Sequence, residues 1–164
     1  MLVADTDNHS IRKVTRSGAV STLAGTVQPG FVDGVGADAR FNEPVGIALD
    51  AHGTIFIADN QNHCLRQLKP GDRTVSTVAG DGERGFADGQ GAAARFNDPC
   101  GIAIDAHGHI IVADLGNDCI RKVMSAEGRV TTVAGCAGYE GFADGSSPSH
   151  NLIHTRQSTP HPLI

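Results

Sequence analysis

The sequence lacks three features that would each point directly to a function: a run of basic residues, a long apolar stretch and a closely spaced cysteine pair. Its 13 Lys and Arg residues are outnumbered by 18 Asp and Glu, and the formal net charge is −5. Proteins that bind nucleic acid through its phosphates present a basic patch or stripe. We therefore expect no nucleic-acid partner.

No stretch approaches the ~20 consecutive apolar residues that span a bilayer. The first residues, Met1 to Asp5, lack the basic and apolar regions of a signal peptide. We expect no membrane partner and a cytoplasmic location by default, with the compartment otherwise undetermined. The four Cys residues contain no Cys-x-x-Cys pair of the kind that binds zinc.

A threefold repeat is the main feature that is present. Residues 3–14, 57–68 and 112–123 each read apolar-Ala-Asp, two variable residues, Asn, two further residues, an apolar residue and Arg. The copies start at Val3, Ile57 and Val112, which are 54 and 55 residues apart. A period of this length is typical of stacked or radially arranged supersecondary units.

Each complete unit predicts four β-strands. The first and second strands, for example Ile102-Ala103-Ile104 and Ile110-Ile111-Val112-Ala113, are nearly unbroken apolar runs, whereas the third and fourth alternate apolar with polar residues. We therefore expect burial to fall from the first strand to the last. That gradient favours a blade of four antiparallel strands with its first strand at the axis of a β-propeller.

A solenoid of short repeats is the main alternative, but such repeats are about half this length and do not require four antiparallel strands. The predicted domain covers residues 1–145, with a partial blade at 1–25 and blades at 44–80 and 99–135, and a disordered tail covers 146–164. A propeller has roughly four to eight blades. We therefore predict an incomplete ring, either a fragment of a longer protein or a chain that self-associates to complete the ring.

The repeat resembles NHL repeats, in a version with a longer period. The resemblance extends from residue 2 to about 145. It rests on Gly46-Ile47-Ala48 and its copy at 101–103, on the Asp-x-x-Gly turns, on Ile57-Ala58-Asp59, and on Asn62-His63-x-Leu65-Arg66. It implies a β-propeller. Some propellers are enzymes, including lactonases, and the amidating lyase resembles NHL propellers; the sites of these enzymes form around the ring axis.

Two groups of residues could suggest chemistry and are interpreted as structural. Residues 80–85 fit Gly-x-Gly-x-x-Gly, but a dinucleotide site also needs a parallel βαβ unit, so we predict no cofactor. Asp59, Asn62 and Arg66 recur in each unit, and we expect Asp to accept loop N–H bonds, Asn to adopt the left-handed conformation and Arg to pair with carboxylates. The histidines form no close ligand pattern on one element, and no metal site or catalytic residue is predicted.

Strand parity predicts which end of the blades binds a partner. In an antiparallel blade, the loop between the second and third strands leaves from the same end as the connection to the next blade. This end, formed by residues 6–9, 60–63 and 115–118 and by connections 25–44 and 80–99, is here named the loop face. Loops on a rigid scaffold are where recognition usually lies. The candidate binding residues are Asn60, Gln61, His63, Glu83, Arg84, Leu115 and Tyr139.

The predicted function is a non-catalytic scaffold that binds an unknown protein. The alternative is part of a propeller enzyme, lactonase-like or lyase-like, whose site forms at the ring axis. An RNA-binding propeller would need a basic face, which this chain lacks.

Overall fold

The computed structural model describes residues 1–135, 137 and 138, and the fold there is all-β. Residues 139–145 and the predicted tail at 146–164 lie outside the described residues. The thirteen strands of the described part are β1 (Leu2–Asp5), β2 (Ser10–Val14), β3 (Val20–Gly25), β4 (Gly34–Val35), β5 (Pro44–Leu49), β6 (Ile55–Asp59), β7 (Cys64–Lys69), β8 (Thr74–Ala79), β9 (Gly89–Gln90), β10 (Pro99–Ile104), β11 (Ile110–Asp114), β12 (Cys119–Met124) and β13 (Arg129–Ala134).

These strands form three antiparallel sheets, which are blades of a β-propeller. Blade 1 has the order β1-β2-β3, blade 2 has β4-β8-β7-β6-β5, and blade 3 has β9-β13-β12-β11-β10. The four strands predicted for each complete blade are present and follow one another across the sheet as predicted, and the partial blade has three. The helical elements of the described part are 3-10 turns of three residues. None is long and apolar enough to cross a membrane.

Blades 2 and 3 differ from the prediction in having five strands where four were expected. Each long connection contributes a two-residue strand before it enters its blade: β4 pairs with β8, and β9 pairs with β13. The connection therefore first reaches the outer edge of the next blade and then returns to the inner edge. Two residues that include a glycine carry no alternation pattern, so the sequence could not reveal these strands.

The first strands of neighbouring blades lie against each other, as the propeller arrangement requires. A Cβ atom added at Gly46 in β5 would collide with the carbonyl oxygen of Cys100 in β10. Glycine at this position allows the two backbones to approach closely.

The predicted burial gradient is wrong for the first strand. All five residues of β6 are buried, whereas β5 exposes 44% of Val45 and 52% of Leu49. The strand β6 is paired on both edges and covered on both faces. The strand β5 is an edge strand of its sheet, so it receives less cover despite its apolar sequence.

The core lies between the blades, on both faces of blade 2. Alternation along β6 directs Ile55 and Ile57 toward a cluster that contains Ile11 and Phe41, on the side of blade 1. It directs Phe56 and Ala58 toward a second cluster that contains the following residues of blade 3 and its connection: Ala94, Phe96, Ile102, Ile110, Val112, Val123 and Val130.

Candidate functional site

The repeated Asp, Asn and Arg form a buried cluster inside each complete blade. In blade 2, Asp59 Oδ2 accepts hydrogen bonds from Arg66 Nη1 at 2.7 Å and from Asn62 Nδ2 at 2.9 Å. Its Oδ1 accepts a bond from the backbone N–H of Asn42 at 2.8 Å. The side chains of Asp59 and Arg66 are both 0% exposed. The interpretation of Arg as the ion-pair partner of Asp is confirmed. The backbone N–H that Asp59 accepts comes from the connection, whereas the turn that follows Asp59 contributes the side-chain amide of Asn62.

Arg66 also holds the connection that precedes its blade. Its Nη2 donates to Asp33 Oδ1 at 2.7 Å and to the carbonyl of Val32 at 2.9 Å. The guanidinium lies 5.1 Å from the ring centroid of Phe31 and 5.3 Å from that of Phe41. We call this assembly the arginine clamp. It joins the end of β6, the strand β7 and the connection into one unit.

Blade 3 repeats the arginine clamp with the same geometry. Arg121 Nη1 donates to Asp114 at 2.7 Å and Nη2 donates to Asp88 at 2.7 Å. The rings of Phe86 and Phe96 lie 4.7 and 5.2 Å from its guanidinium carbon. Phe31 and Phe86 thus anchor the two connections to the clamps, and Phe142, at the equivalent position of the third copy, lies outside the described residues.

The pKa shifts of these buried groups agree with a structural role. Burial raises the pKa of Asp59 and Asp114, and the surrounding N–H donors with the paired arginine act in the opposite direction. Burial also raises the pKa of the Cys64 thiol well above its usual range. A thiol that resists ionisation is a poor nucleophile, so this cysteine beside the clamp is unsuited to catalysis.

The turn that follows each Asp has a different geometry from the predicted one. The left-handed residue is His9, His63 or Asp118, with φ near 48°, 47° and 51°. It comes directly after the Asn that recurs in each repeat. The Asn is part of the preceding 3-10 turn and uses its side chain instead. Asn62 Nδ2 donates to the carbonyl of Gly30 at 2.8 Å as well as to Asp59.

The loops and the connections lie at the same end of the blades, as strand parity predicts. The backbone N–H of Gln61 donates to the carbonyl of Asn42 in one connection at 3.1 Å. Asn60 Nδ2 donates to the carbonyl of Pro99 in the next connection at 3.1 Å. A single loop of blade 2 therefore contacts the connections on both sides of the blade.

Two of the candidate binding residues are engaged within this framework. Asn60 is buried and bonded to Pro99. His63 Nδ1 accepts the backbone N–H of Asp98 at 3.2 Å, and its side chain is only 14% exposed. The same contact joins His9 to the N–H of Glu43 between blades 1 and 2, at 3.0 Å. These histidines connect neighbouring blades.

The other candidates fall into two separate groups on the loop face. Gln61, Glu83 and Arg84 are exposed, and Leu115 is half-buried. Asn117 Nδ2 donates to the carbonyl of Gly85 at 2.9 Å, which brings the Glu83-Arg84 segment beside the blade 3 loop that contains Leu115. Gln61 belongs to the loop of blade 2, and its Nε2 donates to Asn60 Oδ1 at 2.8 Å. Tyr139 lies outside the described residues.

The structure also brings together three potential metal ligands that the sequence analysis did not group. Asp105, His107 and His109 lie on the turn between β10 and β11, and their ligand atoms are within 4.8 Å of one another. The sequence signal was the alternation Asp-x-His-x-His, which is confined to a single turn. The turn belongs to the end of the blade opposite the loop face.

Comparison with known proteins identifies the repeat. Residues 41–68 and 96–123 match the NHL repeat family model. These segments begin at Phe41 and Phe96 and end at Leu68 and Val123, the last core residues of β7 and β12. The chain therefore contains two NHL repeats, one in blade 2 and one in blade 3.

Two relatives and one solved structure resemble the chain over most of its length. SUPPRESSOR OF QUENCHING 1 of Arabidopsis thaliana is 34% identical over 74% of this chain, and human NHL repeat-containing protein 2 is 31% identical over 81%. A structural genomics protein of unknown function from Bacteroides thetaiotaomicron superposes with a TM-score of 0.70, is 33% identical and covers 74% of this chain. The chain spans 12%, 20% and 31% of the lengths of these three proteins respectively.

Proposed function

We propose that this chain is a non-catalytic NHL-repeat scaffold and that its loop face binds a protein partner. The observation that carries the proposal is that the repeated polar residues and the variable polar residues lie in different places. The repeated ones are committed to the arginine clamps, while the residues that vary between blades, Gln61, Glu83 and Arg84, are exposed on the loop face.

The clamps support the proposal because they make the loop face rigid. A surface whose loops are already ordered loses less conformational entropy when it binds. In blades 2 and 3 the loop on this face is tied to a clamp and to at least one connection, for example through Asn62 to Gly30 and through Asn117 to Gly85. The exposed side chains therefore project from a fixed backbone.

The charge of the exposed segment favours a protein over a polyanion. Glu83 and Arg84 are adjacent and of opposite sign, and the left-handed residues Glu43 and Asp98 add acidic groups on the same face. A mixed polar surface with arginine suits a protein interface, where arginine is enriched.

The test begins with a photo-crosslinking amino acid at position 84 of the full chain, compared with the same group at Ala106 on the opposite end. A protein captured only from position 84 is then purified and its affinity measured by calorimetry. The double variant Arg84→Glu with Gln61→Ala is expected to weaken binding by at least about tenfold, the scale of a hot-spot loss.

The matched control is Arg129→Glu with Gln90→Ala, a pair in register on β13 and β9. Gln90 belongs to connection 80–99, but its pairing with the first residue of β13 puts it at the end of the blade opposite the loops. This control is expected to bind normally. Equal affinities for the loop-face variant and the unmodified chain would refute the proposed function, as would an equal loss in the control.

A further inference from the structure

The turn between β10 and β11 collects two imidazoles and a carboxylate at the surface of blade 3. His109 Nδ1 lies 3.0 Å from Asp105 Oδ2, and the rings of His107 and His109 are 5.9 Å apart. His107 is exposed, and the other two side chains are about one quarter exposed. An ion from solvent can therefore reach all three groups.

We propose that Asp105, His107 and His109 form a binding site for a divalent transition metal ion of the zinc class. Imidazole nitrogen suits zinc, copper and nickel, whereas calcium and magnesium prefer sites made of oxygen ligands. Three protein ligands leave further coordination positions for water. Two ligand atoms at about 2.1 Å from one zinc ion lie about 3 to 4 Å apart. Closing the site therefore requires a small side-chain movement, which the exposed position of His107 permits.

Hydrogen bonds within the turn already fix the backbone that carries the three ligands. Asp105 Oδ1 accepts the N–H groups of His107 and His109 at 2.8 and 2.9 Å. The backbone N–H of Asp105 donates to the carbonyl of His109 at 2.9 Å, and Gly108 N–H donates to the carbonyl of Asp105 at 3.0 Å. These bonds use Oδ1 and leave Oδ2 to face the histidines.

The carboxylate is ionised at neutral pH and is therefore available as a ligand. Desolvation acts to raise the pKa of Asp105, but the bonds from His109 and His107 outweigh it, and the pKa lies below its usual range. The nearby cation is Lys122, whose Nζ lies 3.8 Å from Asp105 Oδ2 with its side chain 35% exposed. Its long side chain can withdraw when a metal ion enters.

Blade 2 supplies a natural comparison, because its equivalent turn has the same backbone with one ligand missing. Asp50 Oδ1 accepts the N–H groups of His52 and Thr54, each at 2.8 Å. Thr54 occupies the position of His109. The proposed site therefore depends on a single difference between two otherwise matched turns.

The experiment is a calorimetric titration of the full chain with Zn²⁺ at neutral pH, which measures the affinity and the number of ions bound. The variant His109→Thr gives blade 3 the residues of blade 2 and is expected to lose at least about tenfold in affinity at this site. The variant Thr54→His reproduces the triad in blade 2 and is expected to bind one additional ion. Binding is expected to weaken as the pH is lowered because protonated histidine cannot coordinate.

Both variants replace residues in a surface turn with residues that the matching turn already accommodates, and circular dichroism checks that they fold. Retention of wild-type affinity and stoichiometry by His109→Thr would assign the ion to other residues, such as the histidines beyond residue 149, and would overturn the proposal. An unchanged stoichiometry for Thr54→His would overturn it equally. Neither result bears on the loop face, so this proposal and the proposed function fail independently.

Discussion

At the scale of single residues, the buried arginines Arg66 and Arg121 explain how long connections are held to their blades. Each guanidinium meets one buried and one exposed carboxylate and lies against two phenylalanine rings. Cation–π contacts with desolvated guanidinium groups are worth about 2 kcal/mol or more. Burial of a charge is expensive unless it is paired, so each clamp stabilises the blade only while all its members are present.

The substitution Arg66→Met is expected to lower the free energy of unfolding by about 3 to 5 kcal/mol, the range for breaking a buried ion pair. The reason is that Asp59 remains as a buried carboxylate without its counter-charge. Urea denaturation followed by circular dichroism measures the change.

Blade 1 offers the control for this prediction. Arg12 lies 3.4 Å from Asp5, and both side chains are 30% exposed. The substitution Arg12→Met is expected to cost at most about 1 kcal/mol, as for other solvent-accessible ion pairs. Similar losses for the two variants would show that burial does not set the strength of the clamp.

At the scale of secondary-structure elements, the short strands β4 and β9 close the outer edge of their blades. An uncovered edge strand exposes unpaired backbone groups and invites aggregation. The residue just before each short strand completes the attachment: Asp33 accepts bonds from Thr77, and Asp88 accepts the same bonds from Thr132. The arginine clamp and the edge strand thus share one carboxylate.

The close contact between the first strands β5 and β10 can be tested by a substitution at Gly46. The substitution Gly46→Ala is expected to destabilise the protein by about 1 to 3 kcal/mol, the range for overpacking. The added methyl group would meet backbone, the carbonyl of Cys100, which a side-chain rotation cannot relieve. Thermal and urea unfolding measure the effect.

Gly71→Ala is the matched control, because nothing lies within 4 Å of the Cβ position there. It is expected to change the free energy of unfolding by at most about 0.5 kcal/mol. If Gly46→Ala were as well tolerated as this control, β5 and β10 would not be in close contact.

At the scale of the whole molecule, stability is built from contacts between neighbouring blades. One core cluster joins blades 1 and 2, and the other joins blades 2 and 3. Hydrogen bonds from His9 and His63 to the following connections reinforce the same two interfaces. Architectures of this kind gain stability from each nearest-neighbour interface, and among the three described blades it is blade 2 that has an interface on both faces.

Hydrogen exchange is expected to be slowest in β6 and much faster in β3. Every residue of β6 is buried, whereas the first three residues of β3 are exposed. Protected amides are those whose opening requires the loss of buried contacts. Exchange measured by mass spectrometry on peptides that cover residues 55–59 and 20–25 tests this, and comparable protection in both would contradict the proposed distribution of stability.

The sequence by itself determined the repeat, the eleven longer strands, their order in each blade and the structural role of Asp59 and Arg66. The period of the repeat and the alternation of apolar and polar residues can be read from short stretches of sequence. A residue type that recurs at the same position of each repeat occupies equivalent surroundings in each blade, which indicates a structural role. The placement of the loops and connections at one end also follows from the sequence, because it depends only on counting antiparallel strands.

Only the tertiary structure decided the features that depend on what covers an element. It placed the greatest burial in β6, because neighbouring blades cover both of its faces, and it moved the left-handed residue from Asn62 to His63. It assigned the side chains of Asn60 and His63 to contacts between blades, which no pattern within one repeat can reveal. It also grouped Asp105 with His107 and His109, because the hydrogen bonds of the turn fold three alternating side chains to one side.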